Sequence, residues 1–177
     1  MFYCKPIPIE GLEEIQKRVL ELIPNEDLLS PRLYYPNNNK ELFLSIDPLK
    51  KILTNLGWLT YLNDVGFALN IVNPKSETAI HIDAGGFPYS FNIPITHCNN
   101  SYVNFYKLRE DVELTTRNTP FTSYYRAEKN QCQLIKCFKL TDPYVMNTKL
   151  IHGVTNQSID KRITLLVRLS EGAPNVL

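Results

Sequence analysis

Three side chains of this chain have the types and the spacing to bind one metal ion. His81 and Asp83 are separated by a single residue, and in an extended strand such positions project to the same face, about 6.6 Å apart along the backbone. His152 is a third donor far along the chain, so only a folded barrel or sandwich can bring it to the other two. Two imidazoles and one carboxylate leave open positions on a metal, which is typical of mononuclear non-haem Fe(II) sites.

A second pattern begins ten residues after His152, where the segment Arg162–Leu169 alternates along its length. Strict alternation of this kind predicts a β-strand. One face carries only aliphatic side chains, whereas Arg162, Thr164 and Arg168 share the opposite face. A guanidinium with a hydroxyl beside it can hold one carboxylate of a buried dicarboxylate through bidentate, charge-assisted hydrogen bonds while the other end reaches the metal. The strand is therefore predicted to offer an anion site.

The combination of these two motifs resembles the 2-oxoglutarate/Fe(II)-dependent dioxygenase superfamily. The segment 144–156 is also similar to that superfamily, particularly to its aspartyl/asparaginyl-hydroxylase-like and related uncharacterised branches. The likeness spans residues 65–169. It implies a mainly β fold whose core is a double-stranded β-helix, also called a jelly roll. Ala84 and the pair Gly85-Gly86 match no substrate-recognition motif of the superfamily, so the resemblance does not identify a substrate.

The resemblance also implies roles for individual residues. The two histidines and the aspartate would ligate Fe(II), and Arg162 would pair with the distal carboxylate of 2-oxoglutarate, with Thr164 assisting. Arg168 competes with Arg162 for that carboxylate, but the family spacing and the Thr164 hydroxyl favour Arg162. With 2-oxoglutarate and O2 as co-substrates, the implied activity is hydroxylation of an unidentified protein or small-molecule substrate.

Two other kinds of protein fit the same residues. One is a non-catalytic jelly-roll module that holds a metal or a small acid without redox chemistry, for which Arg162 would be dispensable and the metal could be zinc. The other is a virion or scaffold jelly roll in which the His-x-Asp sequence is accidental. Aerobic decarboxylation of 2-oxoglutarate separates the oxygenase from both, and metal analysis then separates these two.

Further polar residues are candidates for the ligand cavity. Asn92 takes the face opposite to its apolar neighbours, so it could point inward and donate a hydrogen bond to a ligand. Tyr102, Asn104 and Tyr106 share a face of the next predicted strand and could do the same, although aromatic residues in strands more often pack. His97 follows a strand end and is expected to have a surface or structural role.

Length and composition predict one compact domain. The chain has 177 residues, of which 44% are hydrophobic and 21% charged, and its net charge is +1. A chain of this size buries most of its apolar surface. The near-neutral charge provides no global field for nucleic acid or anionic lipid, so no nucleic-acid or membrane partner is expected. The start resembles no secretory signal, so a cytoplasmic location is expected, with the four cysteines mainly as thiols.

The order of predicted elements is helices first and strands afterwards. Apolar residues at helical spacing predict a helix over Gly11–Ile23, and Asp47-Pro48 predicts an N-cap and first position for a helix over Pro48–Leu56. Residues 1–57 are therefore expected to form a helical flank and residues 58–170 the jelly-roll core of a single domain, 1–177. The predicted strands are 66–72, 78–82, 90–96, 102–107, 133–140 and 162–169. The segment Arg109–Asn130 is either a lid or a long surface excursion.

Overall fold

The protein is mainly β, with short helices near the start of the chain. The computed structural model describes residues 2–29, 32–36, 38–62, 66–83, 86–110, 112–118 and 123–174. The α-helices in these ranges are α1 (Leu12–Leu22), α2 (Asn39–Leu44) and α3 (Asp47–Asn55). Short 3-10 turns occupy Asn25–Leu28, Leu59–Tyr61 and Lys129–Gln131. None of the helices described is long and apolar enough to cross a membrane.

The strands form two antiparallel sheets. They are β1 (Cys4–Pro6), β2 (Arg32–Tyr34), β3 (Phe67–Val72), β4 (Ser76–Glu77), β5 (Ile80–Asp83), β6 (Tyr89–Thr96), β7 (Ser101–Leu108), β8 (Thr115–Asn118), β9 (Ser123–Ala127), β10 (Cys132–Lys139), β11 (Tyr144–Asn147), β12 (His152–Asn156) and β13 (Arg162–Leu169). Sheet I has the order β1-β11-β6-β13-β3-β2. Sheet II has the order β10-β7-β12-β5-β9-β8, with β4 paired to β12. Strands β3, β6, β11 and β13 of sheet I alternate along the chain with strands of sheet II, so the core is a double-stranded β-helix, as predicted.

The outer face of sheet I is covered by the helices. Odd-numbered side chains of β13 and β3 pack there against α1 and α3 in the main hydrophobic cluster. Trp58 lies in the same layer, with its ring centroid 5.2 Å from that of Phe91. Its indole nitrogen donates a hydrogen bond of 2.6 Å to the carbonyl of Pro174. This layer covers the outer face of sheet I. The candidate site residues of sheet I lie on its inner face.

The inner faces of the two sheets pack against each other. Val72 and Tyr144 from sheet I belong to one buried cluster with Val103, Phe105 and Val154 from sheet II. In antiparallel pairs, directly opposed residues project to the same face. The even-numbered residues of β13 therefore face the layer that contains the even-numbered residues of β12.

The first 57 residues differ in part from the predicted helical flank. The two helices expected at α1 and α3 are present, but β1 and β2 add strands to both edges of sheet I. The flank also contains α2, which begins at Asn39 and was not predicted. Helix α3 begins at Asp47 itself, with Ile46 as N-cap and no capping side chain, so the predicted Asp47 cap is wrong.

The segment 109–130 extends sheet II. Strands β8 and β9 pair with each other, and β9 pairs with β5. The described part is therefore a hairpin beside the strand that carries His81, rather than an excursion without secondary structure. Residues 111 and 119–122 of this segment lie outside the described residues, as do Ala84, Gly85 and Val65.

Candidate metal centre

His81, Asp83 and His152 converge at the inner face of sheet II. Strands β5 and β12 are neighbours, and His81 lies directly opposite His152. Their ring centroids are 4.4 Å apart, and His81 Nε2 lies 3.4 Å from Asp83 Oδ1. One ligand atom from each of the three residues lies within 4.8 Å of the others, a group that could hold a metal ion.

Each imidazole is oriented by the main-chain carbonyl two residues before it, just ahead of its strand. Nδ1 of His81 lies 2.8 Å from the carbonyl oxygen of Ala79, and Nδ1 of His152 lies 2.8 Å from that of Leu150. A carbonyl can only accept a hydrogen bond, so each Nδ1 carries the proton. Nε2 of His152 then has its lone pair available for a metal, and Nε2 of His81 has one once it releases the proton that it shares with Asp83. The carbonyls fix the orientation of the rings.

The electrostatics of the three groups favour metal ligation. Burial, together with the charge of His81, lowers the pKa of His152 to about 4, so this ring is neutral near pH 7. Burial raises the pKa of Asp83, but the hydrogen bond from His81 and the nearby positive charges outweigh this effect. The net result is a pKa of the carboxyl below its usual range. Burial also lowers the pKa of His81, but Asp83 outweighs that effect and holds it above its usual value. Near pH 7 the carboxylate is therefore ionised and the imidazole of His152 is neutral.

The three donor groups suit a first-row divalent metal ion. Two neutral imidazole nitrogens and one carboxylate oxygen suit Fe(II) and also Zn(II), and three protein ligands leave positions open. The expected orienting hydrogen bonds are present on both rings. The three residues therefore fit a bound metal without rearrangement of their strands.

Aromatic side chains and a buried threonine surround the ligands. Tyr124, opposite Asp83 on β9, places its ring edge-on to His81 at 5.5 Å between centroids. The ring of Phe105 lies 6.2 Å from that of His152. The carbonyl of Thr148 accepts a hydrogen bond of 3.2 Å from the backbone N–H of Asp83. The sequence analysis assigned no role at the site to Phe105 or Thr148, because an apolar residue in a strand and a threonine in a turn carry no distinctive signal.

Arg162 is buried in the inner layer, and no acidic partner lies beside it among the residues that the structure describes. Its residue is 1% exposed, and its guanidinium donates a hydrogen bond to the hydroxyl of Tyr144. Nε and Nη1 of Arg162 have no hydrogen-bond partner among the described residues. Because buried polar groups are nearly always paired, two orphaned guanidinium nitrogens make this position a candidate anion site.

Thr164 and Asn92 share the inner face with Arg162. Thr164 is fully buried, and its hydroxyl lies 3.8 Å from the thiol of Cys98. Asn92 lies opposite Leu166 in the pairing of β6 with β13. Its amide nitrogen donates 2.7 Å to the carbonyl of Ser90 within its own strand. Both residues therefore lie in the layer between the sheets, with Asn92 already bonded to backbone.

The prediction that Tyr102 and Asn104 line the cavity is wrong. On β7, the residue opposite His152 is Phe105, and Asn104 lies opposite Gly153. The side chains of Tyr102 and Asn104 therefore project to the outer face of sheet II, away from the metal ligands. There the amide of Asn104 donates 2.8 Å to the hydroxyl of Thr155. The strand alternates as predicted, but its apolar side chains face the interior.

His97 lies outside the metal centre. It is exposed and places Nδ1 3.5 Å from Asp160 Oδ2, which is consistent with the surface role expected for it. Its backbone has a φ of 52°, in the left-handed region that few residues other than glycine adopt. This histidine therefore provides a matched control for substitutions of His81.

Comparisons with known proteins support the fold. The AviO1 protein of Streptomyces viridochromogenes Tue57 is 12% identical to this chain and superposes with a TM-score of 0.52, covering 97% of this chain and 91% of that chain. The non-heme monooxygenase ThoJ in complex with nickel superposes with a TM-score of 0.47 at 12% identity, covering 98% of this chain and 75% of that chain. A prolyl-4-hydroxylase of Pseudomonas putida superposes with a TM-score of 0.44 at 12% identity, covering 98% of this chain and 88% of that chain. No protein-family model and no curated protein matches the sequence. At these identities the likeness is one of fold.

Proposed function

We propose that this protein is an Fe(II)- and 2-oxoglutarate-dependent oxygenase that hydroxylates a protein or small-molecule substrate. The observation that carries the proposal is the convergence of His81, Asp83 and His152 in an inner layer that also contains the orphaned guanidinium of Arg162. The three ligands suit ferrous iron, and the guanidinium suits the distal carboxylate of 2-oxoglutarate.

The chain's own residues have defined tasks in this proposal. The carbonyls of Ala79 and Leu150 keep both Nε2 atoms directed to the metal. Arg162 neutralises the distal carboxylate of the co-substrate, and Tyr144 holds the guanidinium by accepting one hydrogen bond. Phe105 and its apolar neighbours exclude water from this layer. When bound, the iron with 2-oxoglutarate and O2 supplies the oxidising chemistry, and the protein supplies geometry and charge neutralisation.

The proposal is tested by aerobic conversion of 2-oxoglutarate to succinate, with and without added Fe(II). We expect iron-dependent succinate formation by the wild-type chain and its loss in H81A and D83A, whereas H97A keeps it. Circular dichroism and thermal unfolding check that each variant folds. Succinate formation by a folded H81A/D83A double variant at the wild-type rate would refute the proposal.

A non-catalytic metal- or acid-binding module is the second candidate. It is favoured by the donor set, because two imidazoles and a carboxylate also suit Zn(II). This candidate predicts tight zinc binding, no succinate under any metal condition and no effect of R162M on metal retention. Metal analysis of the purified chain, combined with the succinate assay, separates the two candidates.

A further inference from the structure

A second buried guanidinium lies opposite a buried hydroxyl on the inner face of sheet I. Arg168 on β13 and Ser90 on β6 are directly opposed, so their side chains share one face. Arg168 is 5% exposed and Ser90 4%. Nη1 of Arg168 and Oγ of Ser90 have no hydrogen-bond partner within the described part of the chain. Two orphaned polar atoms on opposed residues indicate a shared ligand.

Aromatic rings flank the guanidinium of Arg168. Its central carbon lies over the ring of Tyr35, 5.2 Å from the centroid, and over the ring of Phe87 at 5.6 Å. Aromatic faces attract a guanidinium and exclude water from it. Among the described residues no carboxylate lies within the 4.0 Å of an ion pair to Arg168. The hydroxyl of Tyr35 lies beside part of the guanidinium, and Nη1 is the nitrogen that is left for a ligand in a desolvated position.

This subsite adjoins the metal centre. Thr148 donates from its hydroxyl to the carbonyl of Phe87 at 2.6 Å, and its own carbonyl accepts the backbone N–H of Asp83. The main chain of Phe87, whose ring covers Arg168, and the main chain of Asp83 are thus joined through one buried residue.

The subsite is separate from that of Arg162. The two arginines are six residues apart on one strand, which places their Cα atoms about 20 Å apart. Arg162 contacts Tyr144, whereas Arg168 contacts Tyr35 and Phe87. One small dicarboxylate bound to the metal does not satisfy both guanidinium groups. A second anionic group is needed.

We infer that the prime substrate carries a carboxylate, which Arg168 and Ser90 bind beside the metal. One guanidinium nitrogen and one hydroxyl provide two donors, which match the two oxygens of a carboxylate. A bound Fe(II) with Asp83, 2-oxoglutarate and Arg162 sums to zero charge, so Arg168 leaves one positive charge for the substrate to balance. This inference rests on the proposed function for the identity of the reaction, but the anion site itself does not.

The test measures binding rather than turnover. The full chain, loaded with diamagnetic Zn(II) and saturated with 2-oxoglutarate, is examined by saturation-transfer NMR against a panel of N-acetyl amino acids, each paired with its uncharged amide. We expect acids of the panel to bind and their amides to bind at least about tenfold more weakly, since charge-assisted hydrogen bonds contribute that much. The variants R168M and S90A should each weaken the binding of the acids, R168M by about tenfold or more.

Controls distinguish this site from the co-substrate site. R168K retains the charge and should retain part of the binding, and R18M on the exposed face of α1 should match wild type. The affinity for 2-oxoglutarate should fall in R162M and stay unchanged in R168M. The inference is overturned if no acid of the panel binds, or if acids and amides bind with equal affinity. It is also overturned if folded R168M and S90A bind the acids as wild type does, or if R168M loses affinity for 2-oxoglutarate instead. Failure of the oxygenase proposal appears separately, as absence of succinate, and Arg168-dependent binding of the acids would still support this site.

Discussion

The pKa values of the two histidines of the metal centre are shifted in opposite directions. The pKa of His152 is about 4, whereas Asp83 holds the pKa of His81 above its ordinary value. A metal binds only the neutral imidazole, so binding must expel a proton from whichever ring is protonated. Because the pKa of His81 is raised and that of His152 is lowered, His81 is the ring at which protons and metal compete first as the pH falls.

This difference predicts the pH dependence of metal binding. Below the pKa of His81 the affinity for Zn(II) should fall about tenfold per pH unit, because one proton is displaced. His152 should add a second proton only as the pH approaches about 4. Competition with a chromophoric chelator measures the slope. A two-proton slope already at pH 6 would show that both rings are protonated together, contrary to this account.

Arg162 is expected to stabilise ligand binding rather than the fold. Its substitution R162M removes a buried cation without an acidic partner, and such groups cost free energy in the folded state. The free energy of unfolding should therefore not fall, while the affinity for 2-oxoglutarate should fall by at least about tenfold. Urea unfolding and calorimetric titration measure the two quantities. Loss of several kcal/mol of stability with unchanged 2-oxoglutarate affinity would instead make Arg162 a structural residue.

The metal ligands were predictable from sequence, but the rest of the site was only partly so. Short spacing puts His81 and Asp83 on one face of a strand whatever the fold. The distal His152 needed the family resemblance, because spacing alone does not bring β12 beside β5. Residues such as Ser90 and Phe87 act through neighbours on other strands, so their roles follow only from the register.

At the level of the strand, β7 shows which face of an alternating pattern is functional. We expect N104A to leave Zn(II) affinity unchanged and to cost about 1 kcal/mol of stability, the value of one hydrogen bond. F105A should cost about 3–5 kcal/mol, because it empties a fully buried ring position. Urea unfolding measures the free energy of unfolding of both variants, and F105L replaces F105A in the comparison if F105A does not fold. Equal costs, or loss of metal only in N104A, would reverse the assignment of faces.

The turn after β11 links the metal centre to the second anion subsite through Thr148. T148V keeps the shape of this buried side chain but leaves the carbonyl of Phe87 without its donor, which should cost about 1–3 kcal/mol. T54V is the matched control, because the hydroxyl of Thr54 bonds a helical carbonyl at the exposed surface and its loss should have little effect. Thermal and urea unfolding of the pair give the difference. Equal stability of the two variants would contradict a positioning role for Thr148.

The longer strands and both larger helices were predictable because each has a clear apolar period. Strands β6 and β13 and helix α1 lie within one or two residues of their predicted bounds. The missed elements are short, and their formation depends on pairing: β1 adds to β11, β2 adds to β3, and β9 adds to β5. A strand of a few residues has too few positions to show alternation, so only its partner makes it a strand.

For the whole molecule, the two layers should separate stability from ligand binding. Ile15 is fully buried between α1 and the outer face of sheet I, and I15A should lower the free energy of unfolding by about 2–5 kcal/mol. Metal affinity of the folded variant should stay within about twofold of wild type, since distant sites are usually additive. Urea unfolding and chelator competition measure both. A large loss of metal affinity in the folded variant would show that the outer layer controls the site.

The carbonyl oxygens that hold both imidazoles belong to the main chain. Substitution of a side chain cannot remove such an acceptor. The orientation of each ring therefore depends on the path of the main chain and not on the neighbouring side chains. Residues around the entrance can then diverge, or be redesigned for another substrate, while the two rings keep their direction.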